Sequence, residues 1–171
     1  VGEACNKLDP KGSSISVMDS GLVKGRKLGT TVFVFGGNHD CGVDETNMTM
    51  VGRAELDNLI VFTVRTMEEI DDGNSIGEVL FWPHIPQSRR EEIEKAGPTV
   101  SQHVADMFPD AKVVLTHGQV TKSDYANDIF FEAGDSMAID PRPFGKATII
   151  AGHIHNHMRL GGITYPGSLT I

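Results

Sequence analysis

Three stretches of the chain repeat one pattern: a short run of β-favouring apolar residues stops abruptly and histidine comes within a few positions. Val32-Phe33-Val34-Phe35 leads into Gly36-Gly37-Asn38-His39-Asp40, Val113-Val114-Leu115 into Thr116-His117-Gly118, and Thr148-Ile149-Ile150-Ala151 into Gly152-His153-Ile154-His155. Continuous apolar runs of this length are expected of parallel strands buried on both faces. The residues just past such a strand sit at the carboxyl edge of a sheet, where open α/β folds place their ligands. Gly, Asn and Asp are also ordinary turn residues, so the first stretch alone could be a simple turn. Four of the seven histidines coming after apolar strands in this way is a pattern that random scatter would rarely produce.

The remaining chain reads as the rest of one α/β domain spanning 1–171, with 39% hydrophobic and 22% charged residues. Helices are expected over 14–28, 48–58, 88–95 and 100–107, the last two broken at Gly97-Pro98. Further strands are expected over 31–35, 59–62, 78–82, 111–115 and 147–151, and a hairpin around Gly161-Gly162 in the segment 158–169. The segment 130–144, with two prolines and a Gly-Asp pair, reads as a long surface loop. Strands alternating with helices indicate a layered α/β architecture.

Charge and cysteine content bound the setting. No apolar run approaches the roughly 18 residues of a membrane span, and the opening VGEACNKLDPKG carries no secretory pattern, so no membrane association is expected. Cys5 and Cys41 form no CxxC pair and are too few for a disulfide framework, which points to a reducing, cytoplasmic compartment. A net charge of −8 argues against a domain that coats nucleic acid through a basic face. A nuclease stays open, because bound cations reverse the local field toward a phosphate.

The chemistry of the strand-end residues suits a divalent cation. Neutral imidazole is a good ligand for Zn, Fe or Mn, and the Asn38 carbonyl oxygen suits the harder of these. In an extended segment residues i and i+2 project to the same side, so His153 and His155 are expected to address one cavity. His103 falls in a helix and reads as surface; His84, within PHIP, and His157 are left open, with His157 a candidate substrate contact. Among the basic residues, Arg89-Arg90 read as solvated surface, while Arg142, Lys146 and Arg159 flank the last histidine motif and could meet a phosphate backbone.

GNHD at 37–40, THG at 116–118 and GHIH at 152–155, in that order and each after a strand, resemble the motifs of the calcineurin-like metallophosphoesterase superfamily. The resemblance covers about residues 31–169, and Tyr165-Pro166-Gly167-Ser168-Leu169 is similar to the strand and GS turn that come after the last motif in SbcD-type DNA repair nuclease subunits, bacteriophage recombination nucleases included. It implies a layered β-sandwich flanked by helices. It also implies two divalent metal ions, Mn2+ foremost with Mg2+, Fe2+ or Zn2+ as alternatives. Asn38, His117 and His153 would bind one ion and His155 the other. His39 would be the catalytic histidine that protonates the leaving oxygen or stabilises the transition state, with Asp40 orienting it. From their position beside the last motif, and not from the resemblance, His157 and Arg159 are the candidate substrate contacts. The implied activity is exonuclease and endonuclease cleavage of DNA, in a homodimer joined to an SbcC-like ATPase subunit.

The resemblance is incomplete at one end. The superfamily's Asp-x-His and Gly-Asp-x-x-Asp-like motifs have no counterpart in the 36 residues before Gly37. The expectation is that Val1 falls just after the second of them, so that the first part of the fold and its metal ligands belong to a longer chain. A degenerate member that binds at most one metal is the competing reading. Two other functions stay open: a stand-alone phosphoesterase acting on a small phosphate ester, a cyclic nucleotide or a phosphoprotein, and a catalytically silent subunit that binds nucleic acid or a partner.

Overall fold

The computed structural model describes residues 24, 27–38, 59–62, 65–71, 76–120 and 137–167. Its centre is the strand Ile76–Trp82. Leu80 and Trp82 belong to one buried cluster and Val79 and Phe81 to another, so the strand is covered on both faces. That is why its second half, Val79-Leu80-Phe81-Trp82, is continuously apolar instead of alternating.

In chain order the strands are β1 (Val32–Phe35), β2 (Leu59–Phe62), β3 (Thr66–Asp71), β4 (Ile76–Trp82), β5 (Val113–His117), β6 (Gln119–Val120), β7 (Ala138–Ile139), β8 (Thr148–Gly152), β9 (Met158–Leu160) and β10 (Ile163–Tyr165). The main sheet has six strands in the order β3-β4-β5-β8-β10-β9. The inner strands β4, β5, β8 and β10 run parallel, and β3 and β9 close the two edges antiparallel. Strand β3 carries Glu68, Glu69 and Asp71, charges suited to an edge that must not recruit another strand.

One face of this sheet is covered by helices α1 (Gln87–Lys95) and α2 (Val100–Met107). Their Ile93, Val100 and Val104 pack with Leu80, Trp82, Val114, Ile149 and Ile163. Thr99 starts α2 by accepting a hydrogen bond from the Gln102 N–H at 3.2 Å, which satisfies one of the amides a helix start leaves open. The opposite face meets the parallel pair β1–β2. Its aromatic rings close on Phe81: the Phe62 ring stacks on it at 4.0 Å between centroids, with Phe33 at 5.3 Å and Phe35 edge-on at 6.2 Å. The molecule is thus mixed α/β, with a small second sheet on one side of the main one and helices on the other.

Several expectations need correction. The strand expected over 78–82 begins two residues earlier, and β3, β6 and β7 had no expectation at all. The segment read as a surface loop over 130–144 is not one in its described part. Met137 and Ile139 are fully buried, β7 pairs with β6, and Arg142–Phe144 form a 3-10 turn that sets Phe144 5.7 Å from the Trp82 ring. Prolines misled the reading, since they shape the turn while its neighbours fill the core. The hairpin through Gly161-Gly162 stands as expected. Of the helix expected over 14–28, Lys24 and Lys27 are helical, with the Leu28 N–H donating to the Lys24 carbonyl at 3.2 Å; the rest, and the helix expected over 48–58, lie outside the described residues. No helix among the described residues is long and apolar enough to cross a membrane.

Phe81 joins the two sheets and is fully buried. Phe81→Ala should therefore cost about 3–5 kcal/mol, the range for losing a buried ring. Urea unfolding monitored by circular dichroism measures it, and a loss below about 1 kcal/mol would show that the sheets are held by other contacts.

Candidate functional site

The carboxyl ends of four strands meet on one side of the molecule. Strand β1 ends in Gly36 and Gly37, both buried, and delivers Asn38, half-buried. Strand β4 ends in Trp82-Pro83-His84, β5 in Thr116-His117, and β8 in Ala151-Gly152 with His153 next. Because β5 and β8 are paired with His117 opposite Gly152, His153 falls one residue beyond the register. Its ring stands 5.3 Å from that of His117, nearly perpendicular.

Asn38 bridges these imidazoles. His117 Nε2 donates to Asn38 Oδ1 at 2.8 Å and His153 Nδ1 donates to the same oxygen at 3.2 Å. Residues 79 and 115 positions apart in sequence thus converge on one atom. His117 is 2% exposed, so its ring is fixed by packing as well as by this bond. Neighbouring ligands at right angles on a cation with bonds of about 2.1 Å lie about 3 Å apart. The two separations, from the amide oxygen to each ring nitrogen, bracket that value.

His153 is the sole non-glycine residue with positive φ among the described residues, at 90°. A side chain in that region costs of order 1–3 kcal/mol and persists only where the surroundings hold it. The consequence is a departure from the expected geometry. The strand that was to carry His153 and His155 to one side ends at Gly152; His153 turns inward, Ile154 is buried, and His155 is exposed. Among the described residues, no group of three or more His, Cys, Asp or Glu side chains is assembled to hold a metal. The convergence is of two imidazoles and an amide.

Two glycines hold this arrangement from outside. A Cβ on Gly118 would lie 2.3 Å from the Met137 carbonyl oxygen, the acceptor for the Gln119 N–H at 2.9 Å. The chain after His117 can therefore pass that close only with glycine there. Gly167, with φ of 84°, sits where a Cβ would lie 2.9 Å from both the His155 carbonyl and the His157 amide nitrogen. The Pro166-Gly167 turn thus backs directly onto the histidine loop.

The other expected residues are spread around this centre. His157 is exposed and its Nδ1 donates to the Pro166 carbonyl at 3.3 Å, tying the loop to that turn. Arg159 is exposed on β9. Arg142 forms a fork with Asp140, at 2.8 Å from Nε and 2.7 Å from Nη2, and these bonds hold the Asp140 carboxyl below the usual carboxylate range. Arg89 pairs with Glu92 on α1. His39 and Asp40 lie outside the described residues. The sequence left His84 open, and it proves 3% exposed, beside His117; its place two residues after an apolar strand was the signal that could have found it. No family model matches the chain, and no curated protein matches it.

The left-handed backbone at residue 153 makes a direct prediction. His153→Gly should be more stable than His153→Ala by about 1 kcal/mol, since only glycine adopts that φ without strain. Paired urea melts decide it; an alanine variant as stable as the glycine one would mean that the backbone relaxes when the ring is removed.

Proposed function

We propose that this chain is a divalent-metal-dependent phosphodiesterase of the calcineurin-like kind, and more narrowly a DNA exonuclease and endonuclease subunit of an SbcCD-like repair or recombination complex. The observation that carries the reading is the convergence of Asn38, His117 and His153, from three separate strand ends, on one cluster of donor atoms at 2.8 and 3.2 Å. The order of the GNHD, THG and GHIH motifs supports the same reading.

In this proposal Asn38 Oδ1, His117 Nε2 and His153 Nδ1 hold one cation, and His155 belongs to a second. Two imidazoles with a carbonyl oxygen form a borderline donor set, suited to Mn2+, Fe2+ or Zn2+. Cations bound there would polarise a phosphoryl oxygen and lower the pKa of a coordinated water. The protein's own share is placement: the paired strands β5 and β8 fix two donors relative to each other, and the aromatic stack fixes the third. His39, next to Asn38 in sequence, would serve as the acid, and Asp40 would set its tautomer. Arg159 and Lys146, both exposed, are the basic residues left to meet a phosphate backbone once Arg142 is engaged with Asp140.

The test is hydrolysis of linear DNA and of bis(p-nitrophenyl) phosphate with added Mn2+. The unmodified protein should cleave both, EDTA should stop it, and Mn2+ should restore it. Asn38→Ala and His117→Ala should each lower turnover at least about 100-fold together with Mn2+ content. His39→Ala should abolish turnover and leave Mn2+ content nearly intact. Cleavage of the small ester alone would support the stand-alone phosphoesterase, and Mn2+ uptake without hydrolysis of either would sink the enzymatic reading. Recovery of a large coiled-coil ATPase with the purified protein separates the complex from a solitary enzyme.

A further inference from the structure

The donor atoms of the site come from two different sheets. Asn38 lies just past β1, in the two-stranded pair, whereas His117 and His153 come at the ends of strands of the six-stranded sheet, and among the described residues no strand pairing joins the two sheets. His84 stands where they meet. Its backbone N–H donates to the Gly36 carbonyl at 3.0 Å, two residues before Asn38, which ties the end of β1 to the end of β4. Its ring stands edge-on to that of His117, 6.5 Å between centroids at 82°. The residue is 3% exposed, so both contacts are made inside the packing and no solvent competes for them.

The geometry points to His84 as a positioning residue that holds the Asn38 turn and the His117 ring in one frame. Edge-to-face rings at this separation resist rotation of either partner, and His117 can aim Nε2 at Asn38 Oδ1 in only one ring orientation. The line of rings His84, His117, His153 runs in the strand order β4, β5, β8, so His84 at one end braces His117, the middle ring, which in turn meets His153. His84 itself takes no part in the donor set, since Asn38 Oδ1 receives only His117 and His153 among the described residues. The functional meaning of this brace rests on the proposed cation site; the brace itself does not.

The experiment uses the whole chain, unmodified and as His84→Ala and Val104→Ala. Val104 is fully buried on the helix-covered face and serves as a destabilised control that carries no donor atom and makes no ring contact with His117. Two readouts are taken: imidazole nitrogen resonances of His117 in metal-free protein, and calorimetric titration with Mn2+ alone. His84→Ala should shift or broaden the His117 ring signals and weaken Mn2+ binding about 10- to 100-fold, while Val104→Ala leaves both within about twofold. His117 signals unmoved in His84→Ala overturn the inference, and so does an equal effect of Val104→Ala. If the unmodified protein takes up no Mn2+, the cation reading fails by itself and the ring signals still decide for or against His84. Should His84→Ala not fold, His84→Gln, which keeps a polar side chain and removes the ring, gives the same comparison.

Discussion

The contact on which the arrangement depends is the stack of Phe62 on Phe81, 4.0 Å between ring centroids and 15° from parallel. A two-stranded sheet such as β1–β2 is marginal in water without a partner surface. Here that surface is the face of β3, β4 and β5, reached through Phe33, Phe35 and Phe62 closing around Phe81. Aromatic rings bury large apolar areas and resist sliding, so the pair is fixed in position as well as attracted. Asn38 inherits that fixity three residues after Phe35. Without it, the oxygen that meets both imidazoles would have no defined place relative to them.

A second constraint is the left-handed backbone at His153. Its cost, of order 1–3 kcal/mol, must be offset by what surrounds it. The bond to Asn38 contributes about 0.5–1.5 kcal/mol net. The next residue, Ile154, is buried, and the Pro166-Gly167 turn closes on the backbone of residues 155–157. With this backbone the His153 ring stands 5.3 Å from that of His117, and His155 is exposed.

What the sequence disclosed and what it hid depend on how each signal is generated. Strand β4 was legible because a strand covered on both faces must be apolar throughout, and Val79-Leu80-Phe81-Trp82 is. The three motif-bearing strands were legible as short apolar runs followed by histidine, although β1 is only half-buried over Val32-Phe33-Val34 and β5 and β8 alternate in burial. Strand β3 was not, because an antiparallel edge carries charges, and Thr66-Met67-Glu68-Glu69-Ile70-Asp71 looks like a polar connection. Strands β6 and β7, two residues each, carry no periodicity to read, and their pairing depends on Gly118 admitting the Met137 carbonyl. The same-side projection of His153 and His155 assumed extended backbone, whereas β8 ends at Gly152 and His153 has φ of 90°. A histidine with φ of 90° has no sequence signature; only the packing around it makes that conformation tolerable. His84 was hidden by its prolines, which read as turn punctuation while the ring between them lies in the core.

The hydrogen bonds that assemble the donors also bear on how a cation would be taken up. A proton on His117 Nε2 and one on His153 Nδ1 are needed to donate to Asn38 Oδ1. A cation uses the lone pairs on those same two nitrogens, so coordination and these hydrogen bonds exclude one another. In the proposed cation site, binding would therefore be an exchange: each ring would carry its proton on the other nitrogen, and the amide oxygen would give up two hydrogen-bond donors for one cation. The net gain is smaller than that of a site whose donors were solvated and free. In return the three atoms are already in place, and the entropy of gathering them was lost when the sheets docked. The proposed site would thus favour selectivity in geometry over raw affinity, because an ion that needs a different spacing would have to move a strand end to obtain it.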